Sequence, residues 1–244
     1  MAIPCRSKER IIRIDARLLD RYGPQGWWPT TTSPGGPPVY HKGAEGAAVG
    51  NRESFEIVVG AILTQNTAWR NVEKAIVNLT REIGLDPGAI AGCDGALESA
   101  VRPSGYFNQK AARLREISRN ILDCGGIGAL RGYDTDALRK LLLSWKGIGP
   151  ETADSILCYA FARPVFVVDA YTMRLFRALD LPHASYGEIQ AIVHQAIPPD
   201  TARYNDLHAR IVKLYAMKEA DAFRVSFEAA DLLDKIIVNH HDSL

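Results

Sequence analysis

The sequence lacks the features that mark secreted, membrane and strongly basic proteins. It has only four cysteines in 244 residues, and no two of them form a Cys-x-x-Cys pair. No apolar run approaches the length of about 20 residues that a transmembrane helix needs. The start of the chain, Met-Ala-Ile-Pro-Cys-Arg, has no apolar signal core, so we expect a cytoplasmic protein with reduced thiols and no membrane partner. The net charge of +1 argues against nucleic-acid binding by bulk charge.

Long alternating patterns of apolar and polar residues are also missing, and apolar residues recur at a spacing near 3.6 instead. This period predicts an all-α fold that begins with a helix from Ser7 to just before Gly23. Further helices are predicted at 54–63, 67–83, 108–124, 135–145, 151–161, 170–179, 185–196, 201–217 and 221–238. Residues 30–50 are rich in Pro, Gly and Thr and are predicted to form a long loop or lid. The apolar run 165–168 has no partner strand and is predicted to be buried extended chain.

The most informative segment begins at residue 141. Gly147-Ile148-Gly149 separates two predicted helices, and Pro150 opens the second at a position where a missing N–H does no harm. The glycines leave backbone amides open to an anion at the positive end of that helix. On a nucleic acid that anion is a phosphate, bound without reference to base sequence. A single Gly-x-Gly is more often an ordinary loop.

Asp169 follows the apolar run 165–168 and is a natural N-cap for a helix that starts at Ala170. The helix N-terminus favours its ionised form near neutral pH. A fixed carboxylate stabilises the oxocarbenium character that develops when an N-glycosidic bond breaks, and it can orient the attacking water. An aspartate before a helix is, alone, an ordinary cap. Its combination with the glycine hairpin is what indicates function.

This combination resembles the helix-hairpin-helix DNA glycosylases, the superfamily of endonuclease III. Residues 21–29, 55–67 and 101–111 further resemble the endonuclease-III-like bacterial 3-methyladenine DNA glycosylases. The resemblance implies two lobes: a helical bundle at 51–163, and a discontinuous lobe of residues 1–50 and 164–244. It places the active site in the cleft between them, with Asp169 as the catalytic carboxylate. The implied partner is double-stranded DNA with a damaged base, bound by a monomer associated with a bacterial or archaeal nucleoid.

The position of Glu151 bears on the type of reaction. Relatives that are both glycosylases and lyases carry a lysine two residues after the second hairpin glycine, and it forms a Schiff base with C1′. A carboxylate cannot form an imine. We therefore expect a monofunctional hydrolase of base excision repair that removes alkylated purines, 3-methyladenine above all. The alternative role of Glu151 is a simple helix cap.

Cofactors follow from the cysteines and from the resemblance. Many relatives hold a four-cysteine iron–sulfur cluster near the C-terminus, but no cysteine follows Cys158 in this chain, so no cluster is expected. The resemblance implies one optional ion, a structural Na+ or K+ at the hairpin. Its ligands would be the backbone carbonyls of Leu143, Trp145 and Ile148.

The resemblance also implies roles for individual side chains. Around the flipped base it places Trp27, Trp28, Pro29, Phe55 and Glu151. Electron-rich rings attract a cationic alkylated purine, although aromatic residues in general are more often core residues. The implied DNA contacts are Gln65, Asn66, Tyr106, Asn108, Lys146, Gly147, Gly149 and Thr152. Either Gln65 or Asn66 would fill the gap that the flipped nucleotide leaves.

Clustered basic residues are predicted either to face DNA or to be solvated helix residues. They are Lys110, Arg113, Arg115 and Arg119, followed by Arg139, Lys140 and Lys146 before the hairpin. Two other functions stay open at this point. One is an endonuclease III-like pyrimidine or mismatch glycosylase, and the other is a non-catalytic helix-hairpin-helix DNA-binding protein.

Overall fold

The computed structural model describes the backbone of residues 5–241 and the side chains of residues 7–231. The polar end of the chain and the Cys5 side chain lie outside the described residues. The described backbone is mostly helical and contains only two very short strands, which confirms the predicted all-α fold. The helices are α1 Cys5–Tyr22, α2 Asn51–Leu63, α3 Trp69–Glu82, α4 Pro87–Ala91, α5 Ala96–Val101, α6 Phe107–Asp123, α7 Thr135–Ser144, α8 Pro150–Ser155, α9 Ala170–Ala178, α10 Tyr186–Ala196, α11 Thr201–Ala216 and α12 Ala220–His241. Among the described helices, none is both long and apolar enough to cross a membrane.

The chain divides into two compact units. The first comprises Met1–Pro24, Val168–Pro199 and Asp206–Leu244, and the second comprises Gln25–Val167 and Asp200–Asn205. Residues 25–50, which the sequence analysis assigned to the discontinuous lobe, thus group with the helical bundle. The reason is local packing, because the Trp28 ring lies directly against Gly60 of α2.

Helix α2 forms the centre of the second unit. Ten consecutive residues, 54–63, are buried, so this helix is covered on all sides. Helix α3 is amphipathic and buries Val72, Ala75, Ile76 and Leu79, the i, i+3, i+4, i+7 pattern of a helix with one apolar face. The sequence analysis missed α4 and α5, because five or six residues are too few to show a period.

The predicted loop at 30–50 is wrong at its start, where it forms a small antiparallel ladder. Strand β1, Thr30–Thr31, pairs with β2, Pro38–Val39. Buried Glu56 of α2 holds this ladder, since its carboxylate accepts hydrogen bonds from Thr31 N at 2.7 Å and Thr31 Oγ1 at 2.8 Å. Burial raises the pKa of Glu56, and the two hydrogen bonds from Thr31 act in the opposite direction. Two-residue strands carry too little pattern to be predicted.

In the first unit, a buried arginine joins α11 to α1. Arg210 donates to the backbone carbonyl of Asp15 at 3.1 Å and to its carboxylate at 3.0 Å, and it also lies 3.2 Å from the Asp206 carboxylate. A buried guanidinium needs such partners, because an unpaired buried charge is strongly destabilising. This network fixes the part of α11 that carries His208.

Candidate active site

The glycine hairpin connects α7 to α8 as the sequence predicts. Asp134 caps α7 by accepting from Ala137 N at 2.7 Å, and the turn is closed by Ile148 N donating to Trp145 O at 3.1 Å. Trp145 and Ile148 are buried and anchor the turn in the core. Gly147, with a φ of +85°, and Gly149 are exposed. The hairpin therefore presents backbone rather than side chains to its surroundings.

An ion pair fastens the two hairpin helices together. Arg139 of α7 donates to both carboxylate oxygens of Asp154 in α8, at 2.6 and 3.0 Å, and the Asp154 side chain is fully buried. A bidentate pair fixes geometry as well as charge. Arg139 was expected to face either DNA or solvent, and the structure pairs its guanidinium with a buried carboxylate instead.

Gln65 and Arg113 lie against the hairpin. Gln65 Nε2 donates to Gly147 O at 3.1 Å and to Thr152 Oγ1 at 3.0 Å, and Arg113 donates to Gln65 Oε1. A Cβ atom on Gly147 would overlap the Arg113 guanidinium. Glycine is thus favoured at 147 for two reasons, its left-handed backbone and the close approach of the Arg113 guanidinium. Arg113 adds positive charge where the hairpin amides are exposed.

The remaining basic residues of the predicted cluster differ in exposure. Lys110 is buried, and Arg115 pairs with Glu98 through two contacts of 2.8 Å. Both are therefore used in packing the bundle. Lys140 and Lys146 are exposed. The cluster therefore has a mixed role. Lys110, Arg115 and Arg139 bind carbonyls or carboxylates that are distant in sequence, whereas Lys140 and Lys146 are exposed.

The other predicted DNA contacts differ in exposure: three lie at the surface and one is buried. Asn66 and Tyr106 both have left-handed backbones, with φ of 55° and 47°, and Tyr106 is 68% exposed. Asn108 is exposed, whereas Thr152 is buried. Left-handed conformation is uncommon for Tyr, so the backbone at Tyr106 is held by its surroundings.

Trp27 and Trp28 line a cavity of about 650 Å³ in the second unit. The Trp27 ring is tilted against Trp69 at 4.7 Å between centroids, and Trp28 lies edge-on to Trp69 and against Tyr159. Thr31, Arg52, Glu53 and Tyr159 also line this cavity. Its volume is within the range of small-molecule sites.

Three other residues predicted to surround the base are not among the residues that line this cavity. Pro29 is buried, and Phe55 is 1% exposed within the apolar core, so its ring packs α2. Glu151 is exposed in the first turn of α8, where its carbonyl accepts from Ser155 Oγ at 2.7 Å. The aromatic wall therefore consists of the tryptophan pair, with Tyr159 added by the fold.

Of the three carbonyls predicted to bind an alkali ion, that of Leu143 lies in the last turn of α7, and those of Trp145 and Ile148 lie in the hairpin that follows. Helix C-termini leave carbonyl oxygens without intrahelical partners, and such oxygens are the hard donors that alkali and alkaline-earth ions accept. Trp145 O receives the Ile148 N–H and keeps a second lone pair. These oxygens are of the chemical type that an alkali ion binds, and the ion itself stays a prediction.

The thiols of Cys93, Cys124 and Cys158 are free. Within the described side chains, no three His, Cys, Asp or Glu residues are grouped to hold a metal ion. The predicted absence of an iron–sulfur cluster stays a prediction.

Asp169 is the N-cap of α9, as the sequence predicts. Its Oδ1 accepts from Thr172 N at 2.7 Å, and its Oδ2 lies 3.5 Å from His208 Nε2 of α11. The Asp169 side chain is 14% exposed. Burial by itself would raise the pKa of Asp169, but His208 and the Thr172 N–H outweigh it and lower the pKa. The carboxylate is therefore ionised at neutral pH.

Two tyrosines stack near this carboxylate. The rings of Tyr171 and Tyr215 are 5.1 Å apart with an interplanar angle of 25°, and the Arg174 guanidinium lies 5.7 Å from the Tyr171 ring. Burial raises the pKa of Tyr215, with a smaller effect of the Asp169 charge in the same direction. The sequence analysis missed these tyrosines and His208. The spacing of His208 and Tyr215, two helical turns apart on α11, is the signal that places both on one face.

The comparisons with known proteins bear on this arrangement. The family model of the HhH-GPD superfamily of base excision DNA repair proteins matches residues 59–199. The chain belongs to this superfamily. It is a DNA glycosylase of base excision repair, and the predicted family is confirmed.

Two relatives illustrate the match in sequence. This chain is 42% identical over 211 residues to a candidate DNA repair glycosylase of Methanocaldococcus jannaschii. The matched region covers 84% of this chain and 86% of that protein. The chain is 31% identical over 128 residues to endonuclease III of Thermotoga maritima, which covers 52% of this chain and 57% of that protein.

Two solved structures illustrate the match in fold. The H. pylori 3-methyladenine DNA glycosylase MagIII, bound to 1,N6-ethenoadenine, has a TM-score of 0.67 and 30% identity over 87% of this chain and 98% of that chain. A non-covalent endonuclease III–DNA complex has a TM-score of 0.66 at 18% identity, covering 88% of this chain and 86% of that one, and shares the fold.

Proposed function

We propose that this glycosylase is a monofunctional hydrolase that flips alkylated purines, 3-methyladenine among them, out of double-stranded DNA and cleaves their N-glycosidic bond. The ionised carboxylate of Asp169 carries this proposal. As the base leaves, positive charge develops at C1′ and the ring oxygen, and a fixed anion lowers the energy of that state. The same carboxylate orients the water that attacks C1′ and accepts its proton, and the alkylated base departs as a neutral molecule with the electron pair of the broken bond.

The tryptophan pair supports an alkylated purine as the substrate. Methylation at N3 or N7 of a purine in DNA leaves a positive charge on the base, and indole rings attract cations more strongly than other aromatic rings do. Trp27 is half-buried at the cavity wall, so one part of its ring stays accessible. The similarity to MagIII, whose structure contains a modified adenine, points to the same class of base.

Glu151 supports hydrolysis without a covalent intermediate. A lyase of this superfamily needs an amine at C1′, and the residue at this place in the hairpin register is a carboxylic acid. Glu151 lies in the first turn of α8 and is exposed, which supports a role at the DNA surface rather than in core packing. With no amine at that position, water is the nucleophile.

In this proposal the hairpin binds the DNA backbone. The amides around Gly147 and Gly149 bind one phosphate, Arg113 and Lys146 add charge, and Gln65 or Asn66 fills the gap left by the flipped nucleotide. Phosphate contacts position a protein without reading sequence, which suits an enzyme that searches for damage. An alkali ion held by the carbonyls of Leu143, Trp145 and Ile148 would add positive charge near the same turn.

Base release from methylated DNA tests this proposal. Purified protein is incubated with methylated duplex, and the freed bases are separated by chromatography. We expect 3-methyladenine from the unchanged protein, and a loss on the order of 10²-fold or more for Asp169→Asn, which keeps the helix cap but removes the charge. Asp180→Asn is the matched control, because Asp180 is an exposed carboxylate at the other end of α9. Absence of free methylated purine, or full release by Asp169→Asn, would refute the proposal.

A further inference from the structure

Lys110 is buried, although the sequence analysis expected a lysine that faces either DNA or solvent. The residue is 3% exposed, and its ammonium donates to Leu63 O at 2.8 Å and to Ser104 O at 2.7 Å. Both acceptors are backbone carbonyls from segments far apart in sequence. Burial, with the nearby charge of Arg113, lowers the pKa of Lys110 to about 8.

Each of these carbonyls ends a helical segment. Leu63 is the last residue of α2, and Ser104 is the last residue of the short 3-10 helix at 102–104. Carbonyl oxygens at helix C-termini lack intrahelical donors and carry partial negative charge, so a cation there satisfies them and is stabilised in return. The Lys110 ammonium thus donates a hydrogen bond to the carbonyl at each of two helix ends.

Each helix end leads directly into a surface loop with a left-handed residue. Asn66 lies three residues after Leu63, and Tyr106 lies two residues after Ser104. Lys110 holds the second loop from both sides of Tyr106, because its backbone N–H also donates to Tyr106 O at 3.0 Å. A left-handed Tyr persists only where the surroundings determine its conformation.

We propose that Lys110 is a positioning residue that fixes the loops at Asn66 and Tyr106 relative to each other, so that both enter the DNA around a flipped nucleotide as one unit. This inference rests on the proposed function for the role of the loops in DNA binding. The coupling of the loops is a property of the free protein. Two insertions from one preordered unit cost less conformational entropy on binding than two independent insertions.

Hydrogen exchange of the free protein tests the coupling without any DNA. In Lys110→Met, which keeps the length of the side chain but has no donor, we expect faster amide exchange at 64–67 and 105–108 together, and unchanged exchange in α7. Lys74→Met, at an exposed lysine of α3, is the control and is expected to change neither loop. A change in one loop only, in neither, or equally throughout the chain overturns the proposal. Should Lys110→Met not fold, Lys110→Gln is measured in the same way, since its shorter side chain cannot span both carbonyls.

Equilibrium binding tests the consequence for DNA. A duplex with a tetrahydrofuran abasic-site analogue is the probe, with the same duplex undamaged as reference. For Lys110→Met we expect affinity for the abasic duplex to fall by about 10-fold, because the loops must then be ordered on binding, while affinity for the undamaged duplex is unchanged. Equal loss on both duplexes contradicts the positioning role. If the unchanged protein releases no base, the proposed function fails, but the exchange result still decides the coupling.

Discussion

His208 Nε2 lies 3.5 Å from Asp169 Oδ2, so the carboxylate at the N-cap of α9 has a histidine from α11 beside it. Thr172 N–H holds the other carboxylate oxygen. Tyr215, Arg174 and Asp221 are further titratable or charged groups near this site. His208 and the Thr172 N–H together lower the pKa of this largely buried acid.

Replacing His208 with Gln is expected to move the acid limb of the kcat/KM profile to higher pH. Burial raises the pKa of Asp169, and in the unchanged protein His208 helps to outweigh it. Without His208 the carboxylate takes up its proton at a higher pH, and activity falls there. The measurement is base release as a function of pH, with His183→Gln as control. An acid limb that stays in place would show that His208 does not set the charge of Asp169.

Gly147→Ala is expected to weaken binding to undamaged and damaged duplex alike. A left-handed Ala costs about 1 kcal/mol, and its Cβ would displace Arg113 from the hairpin. Phosphate contacts carry no sequence information, so both duplexes lose affinity together. Binding is compared at one fixed salt concentration, with Gly132→Ala as control, because a Cβ there meets no other atom. Loss confined to damaged duplex would place Gly147 at the base rather than at a phosphate.

Arg139→Met is expected to lower the free energy of unfolding by about 3 kcal/mol, since it leaves the buried Asp154 carboxylate without its cation. The double variant Arg139→Met with Asp154→Leu should recover part of this loss, because it removes the unpaired charge as well. Urea unfolding measures both, and Lys140→Met, one residue away and exposed, is the control. Equal stability of Arg139→Met and the unchanged protein would mean that the pair does not hold α7 to α8.

Glu151→Lys is expected to convert part of the turnover to a covalent route. A lysine there could attack C1′ as the base leaves, and the resulting imine is reduced by borohydride to a stable protein–DNA adduct. Glu151→Gln, which also removes the charge but carries no amine, should give no adduct. If Glu151→Lys releases base but is never trapped, residue 151 does not reach C1′.

Local patterns in the sequence were sufficient to predict most of the helices, the hairpin and the N-cap of α9. The hairpin, the N-cap at Asp169 and the amphipathic helices each depend on residues within about one or two turns of each other, and the structure shows them where the sequence places them. Trp27 and Trp28 line a cavity, while their predicted role around a flipped base stays a prediction.

Contacts between residues far apart in the sequence could not be predicted. Lys110 and Arg139 look like solvent-facing charges in a helical pattern, but the carbonyls of Leu63 and Ser104 and the carboxylate of Asp154 use them inside the bundle. His208 is 39 positions from Asp169, and no local pattern connects the two. The sequence alone does not show whether a charged side chain is solvated or paired with a buried group.

The central claim is that water, and not an amine of the protein, attacks the sugar under the control of Asp169. The most direct measurement follows one alkylated duplex with the unchanged protein, recording freed base, strand breaks and borohydride-trapped adduct in the same samples. We expect each freed base to leave one intact abasic site, with no strand break and no adduct above the level of Asp169→Asn. An adduct or a break that accumulates in step with the freed base would contradict the account.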